Sequence, residues 1–571
     1  MVDAAGTTGY TYDSAGRLST VTDVHGKTIT YSYNDCGLRS GWTDQFSGSV
    51  SFSYNNMHAL TSMTDRNNET TTFEYDTGGR LTKLTRANGT YTQFVYSNRN
   101  LPTWVTHKKS DGTGLRNYNY TYDSAGNPTQ IKKGNNDHWD FTYDNIYQLT
   151  GESFTLANGT PVYGVTYSYD NVGNRLTKVQ DGQTTNYTYN NVNQMTAAGS
   201  ATFTYDSNGN TASKTESQAT TNYNWDYENG LTKIDNPSGD DYVYEYDGDG
   251  MRVRSGHDSG QGNVWDTRFY YDAALPLYSY LFESDDAKNM TVAYTIGPAG
   301  NLVSHRRSNA TYYHHFDALG STRLLTDASQ GVTDTYDYYA FGEIQSSTGS
   351  TPNPFKFVGQ LGYYDDPATE FQYLRARYYA PAVGRFTSAD PIDSLPGYGY
   401  VGNAPASQSD PNGTTVWIGP PPACPSSPPP SIMPPGKCRV VSRRAFVVHK
   451  VRDQQYCIWC DEVKHEFGGI PPVPGPWGTC VRTWDCYPAL QKYLEYAFEC
   501  SYILCCDPGG FREVSFDVSG VHYWGPRKLS RKASHFQTSL GGATGIPGPP
   551  SWHRPHAADP NTCNPPGWSG S

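Results

Sequence analysis

The stretch Tyr10-Thr11-Tyr12-Asp13-Ser14-Ala15-Gly16-Arg17-Leu18, which leads through Ser19 to Lys27 into Thr28-Ile29-Thr30-Tyr31-Ser32-Tyr33, decides the fold. Ile29, Tyr31 and Tyr33 alternate with Thr28, Thr30 and Ser32. An extended chain there carries one aromatic or aliphatic face and one hydroxylic face, the period-two signature of a strand. Asp13 offers a side chain that caps a turn, and Gly16 accepts positive φ. Leu18 and the following threonines then resume strand character. Two strands and two turns make one unit.

The unit recurs. Tyr12-Asp13, Tyr33-Asn34, Tyr54-Asn55, Tyr75-Asp76 and Tyr96-Ser97 stand twenty-one residues apart. Tyr122-Asp123, Tyr143-Asp144, Tyr169-Asp170, Tyr189-Asn190, Tyr205-Asp206, Tyr227-Glu228 and Tyr246-Asp247 continue the series at spacings of sixteen to twenty-six. A single hairpin cannot bury its own apolar face, so the units must join edge to edge into an antiparallel sheet that twists and coils as it grows. Its tyrosine-lined face is expected to be covered.

Composition agrees with strands and turns. The 571 residues include 47 Tyr, 57 Gly and 37 Pro, with 36% hydrophobic and 17% charged. Aromatics at 14% are too many for a solvated disordered chain, and the residues that fill helices are scarce. No run approaches the roughly 18 apolar residues of a membrane span. Met1 to Gly6 lacks the basic and apolar regions of a secretory signal.

Ten of the eleven Cys lie beyond Gly413; only Cys36 precedes it. The first part has 28 Lys+Arg against 44 Asp+Glu, a charge of −16; the second has 15 against 11, or +4. The first part therefore repels nucleic acid and acidic glycans. Between them, nine of the sixteen residues from Pro420 to Pro435 are Pro, the composition of a stiff extended linker.

The repeated Tyr-Asp-x-x-Gly-Arg-Leu units resemble the YD repeats of the rearrangement-hotspot (Rhs) family, which are similar to those of the teneurin shell and of the C subunits of insecticidal toxin complexes. His314 to Arg323, Tyr339-Ala340-Phe341-Gly342-Glu343, Phe357-Val358-Gly359-Gln360, Tyr373 to Tyr379, Gly384 to Pro391 and Asp410-Pro411-Asn412-Gly413 resemble the Rhs-associated core in order and spacing. The resemblance covers about 410 residues. It implies an all-β fold, a coiled antiparallel sheet forming a complete or partial shell over 1–300 and a core over 301–413. A Pro-rich linker over 414–435 and a small Cys-rich domain over 436–571 complete the division. With about twelve repeats and no recognisable upstream plug, a partial shell with open strand edges is expected. The resemblance further implies that the tail is a variable effector carried as cargo. An immunity protein and a secretion apparatus would be the outside partners, and the location would be secreted or cell-surface, by a route the chain does not display. The competing class is a non-enzymatic adhesion protein whose aromatic faces bind carbohydrate or a cell-surface protein.

By motif position the resemblance also marks Asp390 and Asp410 as a protease pair, with Arg377, thirteen residues before Asp390, as the associated arginine. Two carboxylates held close do not both ionise cheaply, so one can polarise a peptide carbonyl while the other activates water. The implied cut lies between Thr414 and Thr415; relatives carry a larger apolar residue where Thr414 stands. Asp-Pro and Asp-Pro-Asn-Gly are also ordinary turn sequences. His314 and His315 could suggest a metal pair, but neighbours on a strand point to opposite faces, which favours packing.

The tail leaves its chemistry open. Its ten Cys fit a disulfide-stapled domain in an oxidising place. Cys457, Cys460 and His465 are instead spaced as three zinc ligands, and a Cys nucleophile paired with a His is a third reading. Leu490, Tyr493, Leu494, Ala497 and Phe498 recur at three- and four-residue steps and predict a helix. His522, His535, His553 and His556 with Arg527, Lys528, Arg531 and Lys532 read either as a solvated basic face or as nuclease machinery. No cofactor is called for.

Overall fold

The computed structural model describes residues 2–414 except 47, 276–277, 367–368 and 392–396. Beyond 414 it describes only the backbones of six strands. The chain divides into two compact units, Met1–Gly419 and Pro420–Ser571.

The first unit is built on a thirty-two-stranded antiparallel sheet from Gly9–Tyr12 to Ile344–Thr348. Each strand pairs with its sequence neighbours, as in Thr28–Tyr33 against Arg39–Asp44 and Thr70–Tyr75 against Leu81–Thr85. The ribbon continues past residue 300 without a break. In such a meander alternate turns lie on opposite rims, so the Tyr-Asp turns share one rim.

The motif's chemistry is visible in each turn. Asp13 Oδ1 accepts the N–H groups of Ala15 and Arg17, both at 2.9 Å, and Oδ2 accepts Arg17 Nε at 2.7 Å. Gly16 takes φ +77°, which closes the turn. The Arg17 guanidinium then lies 4.5 Å from the Tyr33 ring centroid, a cation–π contact that links one unit to the next. Asp76, Arg80 and Tyr96 repeat the arrangement.

The motif tyrosines are also tethers. Tyr33, Tyr54, Tyr96 and Tyr143 each donate their hydroxyl to a backbone carbonyl fifteen residues earlier, at 2.8 Å, on Leu18, Arg39, Leu81 and Pro128. One assignment in the series needs correction. The position expected for Tyr227-Glu228 belongs to Trp225-Asp226: Asp226 Oδ1 caps the turn, Trp225 Nε1 donates to Thr211 O, and Tyr227 is 87% exposed. An indole N–H does here what a phenol O–H does elsewhere, so a search on Tyr alone slips by two residues.

The ribbon returns onto itself. His25 Nε2 meets Val253 O, Arg39 pairs with Asp272, Thr295 Oγ1 donates to Asp65, and Arg86 Nε donates to His314 O. All four contacts span 228 to 233 residues. The inner aromatic face is covered, with Tyr31, Trp42 and Phe52 packed beside Tyr270 and Phe282. Both His314 and His315 are fully buried on Ala310–Phe316, and among the described residues no group of three or more His, Cys, Asp or Glu could hold a metal ion.

Residues 353–414 then turn inward. Their four short strands, Tyr364–Asp365, Gln372–Leu374, Arg377–Ala380 and Arg385–Phe386, form a small antiparallel sheet. Tyr363, Tyr379 and Tyr400 join one core cluster with Tyr118 and Trp139 of the ribbon, and Tyr373 and Tyr378 join another with Tyr280 and Tyr294. Polar bonds run from this segment to the Tyr-Asp rim: Asn403 Nδ2 to Gly173 O, Arg385 Nη2 to Asn193 O and Tyr398 OH to Gly209 O, each at 2.7 Å.

In the second unit, Lys437–Lys450 pairs with Glu495–Asp507, which pairs with Gly510–Asp517; Tyr456–Trp459 pairs with Val481–Tyr487, which pairs with Thr538–Leu540. The helix expected across Leu490 to Phe498 is not formed at Ala497 and Phe498, which lie in the strand. Tyr496, Phe498, Cys500, Tyr502 and Leu504 recur at every second position. Ladder pairing along both edges satisfies that longer alternation, and it overrides a short helical stripe. Cys457 lies on Tyr456–Trp459, while Cys460 and His465 fall outside the described residues, as do the four tail histidines and the basic run. No described helix is long and apolar enough to cross a membrane.

Candidate functional site

Asp390, Asp410 and Arg377 come together. Arg377 opens the strand Arg377–Ala380 at the tip of a two-residue hairpin, where Leu374 pairs with Arg377. Its Nη2 lies 3.1 Å from Asp390 Oδ2 and 3.5 Å from Asp410 Oδ2, so one nitrogen holds both carboxylates. Nη1 donates to Gly397 O at 3.1 Å, and Nε donates to Gly413 O. The guanidinium stacks 3.6 Å from the Phe386 ring centroid. All three charged side chains are buried, at 3% exposure for Arg377, 6% for Asp390 and 3% for Asp410. Burial pulls the Arg377 pKa down, and the two carboxylates oppose it.

Backbone bonds fix the carboxylates. Asp390 N–H donates to Gly397 O at 2.7 Å. Asp410 N–H donates to the Tyr363 hydroxyl at 2.6 Å, and that oxygen is 2.8 Å from Tyr400 OH. Burial, then the charge of Asp410, raises the Tyr363 phenol far above its ordinary pKa, so it stays protonated. Sequence reasoning passed over Tyr363, Phe386 and Arg375. Arg375 donates Nη1 to Pro411 O, Nε to Tyr278 O at 2.7 Å and Nη2 to Leu361 O at 3.2 Å. The signal for Arg375 was the Arg-Ala-Arg triplet, two arginines flanking one small residue.

The chain from Asp410 to Thr414 runs across this hairpin tip. Gly413 has φ +76°, and a Cβ there would sit 2.7 Å from Leu374 O, so only glycine fits. Thr414 N–H donates to Asn412 Oδ1 at 3.2 Å. Thr415 lies outside the described residues. Beside the pair opens a cavity of about 620 Å³, lined by Asp390, Arg375, Arg377, Thr414, Asp249 and Tyr278 among others. Water therefore has room next to Asp390. Among the described residues there is no cluster that could take a metal ion, and the polar groups at the site are carboxylates, guanidinia and phenols.

Comparison with known proteins agrees with this architecture. The tRNA3(Ser)-specific nuclease WapA of Bacillus spizizenii is 33% identical over 186 residues, 31% of this chain and 8% of that protein. Salivary gland surface protein 1 of Aedes aegypti is 37% identical over 129 residues, 22% of this chain and 4% of the other. The chain thus spans less than a tenth of either relative's length. The crystal structure of TcdB2-TccC3 superposes with a TM-score of 0.53 over 71% of this chain and 22% of that one, at 21% identity, which shows a shared fold. The sequence model of the teneurin YD-shell matches residues 1–144 and 127–395, most of the strand ribbon and the inward segment together. With its Tyr-Asp turns, tethering tyrosines and consecutive antiparallel strands, the chain belongs to the teneurin YD-shell family.

Proposed function

We propose that this chain is a toxin-type shell that carries its own C-terminal polypeptide as cargo and frees it by cutting itself once, between Thr414 and Thr415. The observation that carries the reading is Arg377, whose one guanidinium holds Asp390, Asp410 and the Gly413 carbonyl. Asp390 lines the cavity and acts as base: it takes a proton from a water there, and the water oxygen bonds to the Thr414 carbonyl carbon. Two carboxylates on one guanidinium do not both ionise cheaply in the reacting state, so Asp410 is assigned the acid's role and gives a proton to the carbonyl oxygen. As the resulting diol collapses, one of its hydroxyls returns a proton to Asp410, the C–N bond breaks, and the proton held by Asp390 passes to the Thr415 nitrogen. Catalyst and substrate share a chain, so the effective concentration is high and a single turnover suffices.

Residues 436–571 are the effector in this reading, with its target unassigned. The names of several relatives fit a cargo carrier, among them Toxin protein Tse5 of Pseudomonas aeruginosa and Double-stranded DNA deaminase toxin A of Burkholderia cenocepacia. A secreted or cell-surface location, a secretion apparatus and an immunity protein follow from the same reading. The adhesion alternative needs accessible aromatic faces, and the burial of Tyr118, Tyr163, Tyr280 and Tyr294 weighs against it.

Intact mass of the expressed full chain tests the proposal. Two fragments meeting at Thr414 are expected from the natural sequence, and one full-length species from Asp390→Asn and from Asp410→Asn. Equal processing in both variants would refute the assignment.

A further inference from the structure

The hairpin tip that presents Arg377 is built from an uncommon backbone. Arg375 has φ +62°, in the left-handed region that favours glycine or asparagine, and strained positions of this kind gather where a site requires them. The strain brings three adjacent donors onto three adjacent acceptors. Arg375 Nη1 donates to Pro411 O, Ala376 N–H donates to Asn412 O at 3.1 Å, and Arg377 Nε donates to Gly413 O. The run stops one residue before Thr414.

Arg375 is otherwise anchored in two further segments, through Tyr278 O on the rim and Leu361 O in the inward segment. It is 6% exposed, and among the described residues its hydrogen bonds go to carbonyls and none to a carboxylate. A buried guanidinium committed to three main-chain oxygens does not serve charge neutralisation. Its fork geometry suits fixing the position of a backbone.

We infer that Arg375-Ala376-Arg377 is a ruler: it counts three carbonyls beyond Asp410, and Arg375 is the positioning residue that decides which peptide bond reaches the carboxylates. The inference rests on the processing proposed above and adds to it a specificity set by backbone register. The side chain at 414 is then secondary, which accounts for a Thr where a larger apolar residue is expected.

The full chain tests this by a time course of fragment appearance with mass mapping of the new termini. Arg375→Gln is expected to slow processing at least about tenfold, the worth of one lost charge-assisted bond, and to yield a mixture of neighbouring termini. Arg375→Lys keeps the charge without the fork, so its termini stay mixed. Thr414→Val is expected to keep the single cut. A single terminus after Thr414 from Arg375→Gln, at a rate within about twofold of the natural chain, overturns the inference.

Amide exchange in an Asp390→Asn background provides a second readout that needs no cleavage. Adding Arg375→Gln should speed exchange at Asn412, Gly413 and Thr414 at least about tenfold while the 363–374 amides hold. Unchanged exchange, or acceleration across both stretches alike, overturns the ruler. If the natural chain stays intact, the proposed processing fails, and the exchange result alone decides whether the clamp exists.

Discussion

Trp225 donates its indole N–H to the carbonyl of Thr211 at 2.8 Å, the reach that Tyr96 has to Leu81 and Tyr246 nearly has to Leu231. The repeat therefore selects a rigid aromatic with a donor at its far end, and tyrosine is its common solution. Trp225→Phe and Tyr96→Phe should each cost about 0.5–1.5 kcal/mol, the net worth of one hydrogen bond, and Trp225→Tyr should cost less than Trp225→Phe. Local amide exchange in the paired strands reads the difference. Exchange in both Phe variants equal to that of the natural chain would show that the tethers carry no energy.

Two glycines with similar φ should respond differently to alanine. Gly16, at +77°, has open space around its missing Cβ, so Gly16→Ala meets only the left-handed penalty of about 1–2 kcal/mol. At Gly413 the added carbon would also collide with Leu374 O and crowd the Arg377 backbone. Gly413→Ala should free the segment from the hairpin tip and stop processing, while Gly16→Ala leaves processing intact. Intact mass separates the two, and processing by Gly413→Ala would count against the role given to this crossing.

Acid should loosen the contact between early and late strands. His107 packs 5.1 Å from His315, ring to ring, and His305 Nδ1 lies 2.8 Å from His314 Nε2. Arg86 and Arg116 face His107, Arg86 faces His314 and His315, and Arg307 faces His305; the other groups in contact include Thr92, Thr322, Thr326, Tyr118, Tyr294, Tyr312 and Phe316. Burial lowers the pKa of all four imidazoles, that of His305 to about 3. The folded state thus binds fewer protons than the unfolded one. Stability is full above the unfolded pKa of about 6.5 and falls as pH drops below it, by about 1.4 kcal/mol per pH unit for each such histidine. Asp23 and Asp247, raised by burial to about 6, act in the opposite sense. His107→Asn should therefore flatten the loss of thermal midpoint between pH 7 and pH 5. A slope identical to that of the natural chain would sink this account.

The inward segment is latched to the ribbon by Arg252 and Asp366. Arg252 is fully buried among Tyr244, Phe269, Tyr364 and Tyr373, whose ring centroids lie 4.7 to 5.2 Å away. Arg252→Met leaves the Asp366 carboxylate buried without its cation and should destabilise by about 3–5 kcal/mol. Pairing it with Asp366→Leu should recover part of that loss, because the stranded charge is gone. Denaturant unfolding followed by tryptophan fluorescence measures both, and a double variant no better than the single one would contradict the latch.

The strands and Tyr-Asp turns were legible because their causes are local: alternation, an Asx cap and a glycine of positive φ. The tyrosine tethers were not, since a partner fifteen residues away is set by sheet register. Nor was the return of the ribbon after about 230 residues, which depends on accumulated twist. Arg377, Asp390 and Asp410 were marked through motif position, yet Arg375 and Tyr363 escaped because what ties them to the site is bonding to main-chain groups, which no spacing rule identifies. At Ala497 and Phe498 the three- and four-residue steps misled, where the strand partners Val448 and Val447, about fifty residues upstream in the chain, decided the outcome.

The hairpin tip touches Pro411, Asn412 and Gly413 through main-chain oxygens alone, atoms that every amino acid carries. Any sequence placed after that glycine would leave the same three acceptors in place. Under the processing proposed above, such a junction would accept one passenger in place of another with no change to the hairpin tip.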